Sequence, residues 1–118
     1  MSERIWTSGV DHVGLTVGDL GASRDFFCGA LGWSVVGERP EYPASFVSDG
    51  VTRVTLWRAV DPEAARPFDR KHAVGLHHLA LKVTSLDALR ALYRRLADWP
   101  GVASNSRRSP RGLGQKST

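Results

Sequence analysis

Two histidines at matching positions are the residues whose types and spacing point most directly to chemistry. His12 lies in DHVGLTVGDL, and His78 lies in HHLALKVTSL, 66 positions later. In each stretch the histidine shares one face of an alternating apolar run with a small residue, Gly14 or Ala80, which leaves space beside the ring. Neutral imidazole is a good ligand for divalent Zn, Fe, Ni, Co or Mn. The pattern therefore predicts that His12 and His78 bind a divalent metal ion.

A structural interpretation stays open for the same residues. A single histidine in a strand is more often hydrogen-bonded or exposed than bound to a metal. His77 falls on the opposite face of its run, and His72 lies in a segment without clear periodicity, so we expect both to be structural or surface residues. The sequence has no phosphate-binding glycine loop and no CxxC zinc pattern. It identifies no catalytic residue.

The elements that must position the first histidine form a βαβββ pattern. Alternation over residues 10–17 predicts a strand, and Asp19 is a suitable N-cap for a helix that ends before Gly32. Residues 33–38 predict a second strand. Two further strands form a predicted hairpin that closes through Asp49-Gly50.

The second histidine lies in a partial repeat of this pattern. Alternation over residues 76–83 predicts a strand, and Ser85 can cap a helix that ends before Pro100. At the same offset as the two histidines, Phe27 of the first helix matches Tyr93 of the second. The pattern indicates an internal repeat whose second copy lacks its last strands.

Composition sets the predicted domain limits. Residues 1–102 hold 12 Lys/Arg and 12 Asp/Glu, whereas residues 103–118 hold the four remaining basic residues and no acidic one. We predict a first βαβββ module in residues 1–59, a linker in 60–75, a partial second module of strand and helix in 76–102, and a disordered basic tail in 103–118. Because the net charge of +4 comes from the tail alone, nucleic acid is not an expected partner.

Hydropathy and cysteine content narrow the class further. No apolar run approaches the roughly 20 residues of a membrane span, and the N-terminus has no signal-like apolar region. The single cysteine rules out a disulfide within the chain. We therefore expect a cytoplasmic protein that does not associate with membranes.

One long stretch carries a family resemblance. DHVGLTVGDLGASRDFFCGALGWSVV resembles the first module of the vicinal oxygen chelate superfamily, which includes glyoxalases, extradiol dioxygenases and fosfomycin- and bleomycin-resistance proteins. GLHHLALKVTSLDALRALYRRL resembles the opening of the second module. The resemblance implies an α+β fold of paired βαβββ modules around a metal ion or ligand, with His12 and His78 as metal ligands. The second module is incomplete, because the family's last strands and their carboxylate ligand have no counterpart after residue 102.

The resemblance also singles out two residues in the predicted strand RVTLWR. Metal-dependent glyoxalases usually take a Glu ligand from this strand, and Thr55, a poor ligand, matches that position best. Trp57 lies on the same face, so we predict that Thr55 and Trp57 line a substrate pocket. Trp57 could form an aromatic floor of this pocket, and Arg58 could bind an anionic group of the ligand. The simpler interpretation is that Trp57 packs in the fold and that Arg58 is solvated.

Two classes of function follow from these observations. The leading hypothesis is a metalloprotein that acts on a small substrate with vicinal oxygens, as a glyoxalase-like lyase or an extradiol-type dioxygenase, with Fe, Zn, Ni, Co or Mn at His12 and His78. The alternative is a metal-free ligand-binding module, similar to bleomycin-resistance proteins, or an inactive truncated family member. In either case we expect a small-molecule partner and a homodimer.

Overall fold

Alternating apolar strands and capped helices produce an α+β fold. The structure, a computed structural model, describes residues 4–103. Within them a π-helical turn at Phe26–Ala30 continues the first helix, and a short 3₁₀ turn covers Pro62–Ala64. The other elements, in chain order, are β1 (His12–Val17), α1 (Leu20–Asp25), β2 (Ser34–Arg39), β3 (Ala44–Ser48), β4 (Arg53–Arg58) and α2 (Leu86–Ala97). The predicted α+β class is confirmed.

The four strands form one mixed sheet in the order β1-β4-β3-β2. β1 runs parallel to β4, and the other neighbours are antiparallel. The parallel register places His12 opposite Arg53 and Gly14 opposite Thr55. β3 and β4 form the hairpin that Asp49-Gly50 predicts, and Gly50 adopts a φ of +96° in its turn.

One face of this sheet carries the hydrophobic core. Val47, Val54 and Leu56 are fully buried on this face. Phe27 and Trp33 are also buried, and their rings meet edge to face with centroids 5.0 Å apart. Burying side chains of this size stabilises the fold by about 1.5–3 kcal/mol each.

The first helix covers the core face and is fixed at both ends. The Oδ1 atom of Asp19 accepts a hydrogen bond from the backbone N–H of Ala22 at 3.0 Å, which confirms the predicted N-cap. Gly32 has a φ of +79°, a conformation that favours glycine, and it follows the last helical turn as predicted. Arg24 of α1 contacts Glu38 of β2 at 3.3 Å, so α1 lies on the side of the sheet to which Glu38 points.

The chain divides into two compact units between Ala65 and Arg66. In the second unit α2 begins after Ser85, whose Oγ accepts a hydrogen bond from the backbone N–H of Ala88 at 3.0 Å, as predicted. The strand predicted over residues 76–83 is wrong, since these residues belong to no strand. The described part of this unit contains no strand with which residues 76–83 could pair. A strand forms only where its backbone N–H and C=O groups have a neighbouring strand as partner.

The remaining predictions on domain limits stay predictions. Apart from Ala103, the basic tail predicted over residues 103–118 lies outside the described residues. Over residues 4–103, no helix has the length and apolar character needed to cross a membrane.

Candidate functional site

The sheet face turned away from α1, here called the open face, holds the aromatic side chains of the strands and several of the polar ones. Strand residues alternate between faces, so the residues between the buried core positions belong to this face. By strand pairing its residues are His12, Gly14, Thr16, Arg53, Thr55, Trp57, Ala44, Phe46, Ser48, Ser34, Gly37 and Arg39. These strand positions hold two arginines and no carboxylate.

Thr55 and Trp57, the two predicted pocket residues, are joined by a hydrogen bond on the open face. The indole N–H of Trp57 donates to Oγ1 of Thr55 at 3.0 Å. The Thr55 hydroxyl in turn donates to the backbone oxygen of Val13 at 3.4 Å. Thr55 is buried, at 8% exposure, while Trp57 keeps 36% of its surface exposed. The hydroxyl therefore acts as both acceptor and donor, and it fixes the orientation of the indole ring.

Gly14 provides the space that this hydrogen-bonded pair needs. A Cβ atom on Gly14 would lie 3.1 Å from Oγ1 of Thr55 and 3.6 Å from Nε1 of Trp57. Any larger residue at this position would press on the pair. The small neighbour of His12, which the sequence pattern interprets as room for a ligand, is thus also required for packing across to β4.

Two further aromatic rings extend the surface of Trp57. The ring centroid of Phe46 lies 6.0 Å from that of Trp57, and the ring centroid of Tyr42 lies 5.9 Å from it. Tyr42 is 61% exposed. Gly37 lies beside the Phe46 ring, where an added Cβ would come within 2.9 Å of it. We call Tyr42, Phe46 and Trp57 the aromatic cluster.

Sequence reasoning predicted only Trp57 of this cluster. The signal that could have identified Phe46 is the hairpin at Asp49-Gly50, because its register places Phe46 opposite Thr55. Arg58, considered above as an anion clamp beside Trp57, is opposite Val17 and belongs to the α1 side of the sheet by alternation. The arginines on the face of Trp57 are Arg39 and Arg53.

His12 makes one specific contact. Its Nδ1 atom lies 2.8 Å from Oδ2 of Asp11, and its side chain is 51% exposed. The hydrogen bond from His12 and the attraction of its ring lower the pKa of Asp11, and the charge of Arg53 adds to this effect. The contact occupies Nδ1 and leaves Nε2 as the second ring nitrogen. Histidines that bind metals commonly have a carboxylate on the nitrogen that faces away from the metal.

His78 lies in the second unit, where it contacts another histidine. Its Nδ1 atom is 3.0 Å from Nδ1 of His77, and both residues are exposed. His72 of the same unit contacts Asp69 at 2.7 Å. Because His12 and His78 belong to different units, their joint action on one metal ion stays a prediction.

The metal-binding side chains among residues 4–103 do not form a complete metal site. No group of three or more His, Cys, Asp or Glu side chains that could hold a metal ion occurs in this range. Thr55 stands where the resemblance places a Glu ligand, and its hydroxyl is already engaged by Trp57 and Val13. His12, supported by Asp11, is the side chain on the open face that suits a metal best.

Comparison with known proteins identifies the fold. The model of the Glyoxalase/Bleomycin resistance protein/Dioxygenase superfamily matches residues 9–99. The structure is similar to a possible glyoxalase from Bacillus cereus, with 22% identity, a TM-score of 0.60 and coverage of 84% of this chain and 80% of that one. No curated protein matches the chain.

Two further solved structures give the same result. Lactoylglutathione lyase from Agrobacterium tumefaciens has 20% identity and a TM-score of 0.59, with 92% of this chain and 82% of that chain covered. A glyoxalase family protein from Enterococcus faecalis has 18% identity and a TM-score of 0.62, with 92% and 95% covered. At these identities the likeness concerns the fold alone.

Proposed function

The chain belongs to the glyoxalase/bleomycin resistance protein/dioxygenase superfamily, and from that membership we propose that it binds a small planar anion on the open face of its first unit without needing a metal ion. Members of this superfamily generally bind small molecules. The observation that carries the proposal is the hydrogen bond between Trp57 and Thr55. Thr55 lies where the resemblance places a metal-ligating Glu, and here its side chain holds the ring of Trp57.

The aromatic cluster supplies the apolar contact for such a ligand. Trp57 and Tyr42 are partly exposed, and Phe46 extends the surface between strands. Stacking of a planar ring on an aromatic side chain contributes about 0.5–1.5 kcal/mol beyond the burial of its area. Because the Trp57 ring is already held by Thr55, little side-chain entropy is lost when a ligand binds.

The charge of the open face supports an anionic ligand. Arg39 and Arg53 lie on this face and are exposed. The strand positions around them hold no carboxylate, although the carboxylate of Asp11, just before β1, is attracted to Arg53. A guanidinium binds a carboxylate in a bidentate fashion that a neutral amide cannot match. We therefore expect a flat aromatic carboxylate to bind better than its neutral analogue.

Thermal stabilisation by a matched pair of compounds tests this function. The full chain should melt at a higher temperature with naphthalene-2-carboxylate than with naphthalene-2-carboxamide, in the presence of a chelator. Trp57→Leu should abolish the shift, whereas Trp99→Phe in the second unit should keep it. Arg53→Gln should remove the preference for the carboxylate, and Arg58→Gln, on the other face, should not. Equal shifts in all variants, or no shift with either compound, would contradict the proposal.

A metal-dependent activity is the second candidate, and the contact between Asp11 and His12 favours it. This contact places a carboxylate beside Nδ1 of His12, as in many metal sites, and leaves Nε2 as the nitrogen that would bind the metal ion. A divalent ion there would polarise a substrate oxygen, as a lyase or dioxygenase requires. The chain would need further ligands, for which His78 is the predicted source.

The assembly and location of the protein are part of the same proposal. Superfamily members often form dimers. Within the described residues β1 pairs with β4 alone, so its second edge is unpaired and suits contact with another copy of the chain. A homodimer in the cytoplasm is the state that we propose.

A further inference from the structure

We propose that helix α2 of the second unit is a docking surface for another protein, which presents an acidic, amphipathic helix to it. The surface is a shallow groove of about 120 Å³ that is lined by Leu89, Arg90, Tyr93 and Arg94. All four residues belong to α2, so the groove runs along this helix. The surface belongs to the second unit and does not depend on the function proposed above for the first.

The groove separates two rows of side chains with i, i+4 spacing. Leu89 and Tyr93 form an apolar row, and Arg90 and Arg94 form a basic row beside it. Rows of this spacing are the ridges of a helix, and a ridge of a second helix packs into the groove between them. A volume of about 120 Å³ is smaller than that of most ligand pockets, which measure about 300–1,000 Å³. The shape therefore favours a helix over a small molecule as the occupant.

The apolar side of the groove is accessible, although α2 also has a buried side. Leu96 is the buried residue of this helix. Leu86, one turn before Leu89, is 55% exposed. Leu89 and Tyr93 are half-buried. Leu86, Leu89 and Tyr93 thus form an apolar strip that a partner helix can cover, and the arginines and the tyrosine beside it are residue types enriched at protein interfaces.

The basic row determines the charge of the partner. Arg90 and Arg94 are exposed, and within residues 4–103 neither of them forms an ion pair, even with Asp87 or Asp98 about one turn away. Two like charges at i, i+4 repel each other and weaken a helix. A carboxylate between the two guanidinium groups offsets this repulsion and accepts hydrogen bonds from them. A helix with a glutamate row beside a leucine row is therefore complementary in charge as well as in shape.

Other occupants match this surface less well. Residues 103–118 hold four basic residues and no acidic one, so this part of the chain has no carboxylate side chain for the arginines. A second copy of α2 offers another basic row instead of an acidic one. Nucleic acid matches the charge, but its phosphates would leave the apolar strip uncovered. An acidic helix of a different protein satisfies both rows.

Fluorescence anisotropy of designed peptides with the untagged full chain tests this surface, at an ionic strength of about 0.15 M, which screens distant charges. The probe is a peptide of about 16 residues, long enough to form a helix, with a leucine row beside a glutamate row. The parent chain should bind it, and Arg90→Glu/Arg94→Glu should bind it about tenfold more weakly. The same variant should bind a peptide with lysine in place of glutamate, which the parent should not bind.

Two matched controls separate docking from general attraction between charges. The double variant Arg66→Glu/Arg70→Glu reverses two exposed arginines of the same unit outside α2, and it should keep the affinity of the parent for the glutamate peptide. A glutamate peptide with serine in place of leucine has the same charge but no apolar row, and the parent should not bind it. Binding of the lysine peptide by Arg90→Glu/Arg94→Glu also shows that this variant is folded.

Four results would overturn the proposal. The first is a parent chain that does not bind the leucine–glutamate peptide. The second is equal binding of the leucine and serine peptides, which would assign the attraction to net charge. The third is an equal loss of affinity in the two double variants. The fourth is tighter binding of the parent to phosphatidylserine vesicles or to duplex DNA, which would make a membrane or a nucleic acid the partner instead.

Discussion

Thr55 is central to the function that we propose, because its hydroxyl has two hydrogen-bond partners and a neutral hydroxyl is a poor ligand for divalent metals. It accepts from the indole of Trp57 and donates to the backbone of Val13. The sequence alone identified Thr55 as a poor ligand and placed Trp57 on the same face. It could not show that the two side chains bind each other, since this contact depends on rotamers rather than on strand phase.

Thr55→Val should therefore affect both stability and ligand binding. Valine has nearly the same shape, but it leaves the Trp57 N–H and the Val13 carbonyl without their partner, at a cost of about 1–2 kcal/mol in the free energy of unfolding. Urea denaturation followed by tryptophan fluorescence measures this loss. Thr16→Val is the control, because Thr16 is an exposed threonine on the same face. Equal effects of the two substitutions would show that the hydrogen bond does not hold Trp57.

At the scale of elements, the sheet is positioned by a few local signals. Asp19, Gly32 and Ser85 mark helix ends that the sequence predicts and the structure confirms. Asp49-Gly50 sets the hairpin, and through its register it brings Phe46 opposite Thr55. The strand prediction at residues 76–83 was wrong because it relied on alternation alone, without a local signal of this kind. Alternation shows which residues share a face, but it contains no information on whether a partner strand exists.

Asp49→Ala tests the hairpin signal. The carboxylate accepts hydrogen bonds from the backbone N–H groups of Thr52 and Val51, at 2.7 and 2.9 Å, and these lower its pKa. A lowered pKa in the folded state stabilises the turn above the unfolded value of 3.8, and this stabilisation is lost as the pH falls through the folded value. We expect a loss of about 1 kcal/mol at pH 7.

The pH dependence separates this effect from a general one. The difference in stability between Asp49→Ala and the parent should shrink between pH 7 and a strongly acidic pH, as the carboxylate of the folded protein becomes protonated. Asp61→Ala is the matched control, because Asp61 is exposed and its side chain makes no capping hydrogen bond. A destabilisation that is the same at both pH values would argue against a role for the Asp49 charge.

At the scale of the whole molecule, the chain keeps the fold of its family, and the metal-free binding that we propose differs from the metal-dependent chemistry of its enzymes. The superfamily model matches residues 9–99, yet the donor set between residues 4 and 103 does not form a three-ligand metal group. In place of a carboxylate the open face has Thr55, an aromatic cluster and two arginines. The fold class and Trp57 could be predicted from the sequence. Phe46, Tyr42 and the contact between Asp11 and His12 needed the three-dimensional register and rotamers.

Calorimetry of naphthalene-2-carboxylate binding, with and without a chelator, tests the central claim most directly. The parent chain and the variants Trp57→Leu and His12→Ala would be titrated in EDTA and again with added Zn²⁺ or Fe²⁺. The account predicts equal affinity in the chelator and in the metal, retained in His12→Ala and lost in Trp57→Leu. Binding that requires the metal and disappears in His12→Ala would contradict it and establish the metal-dependent candidate.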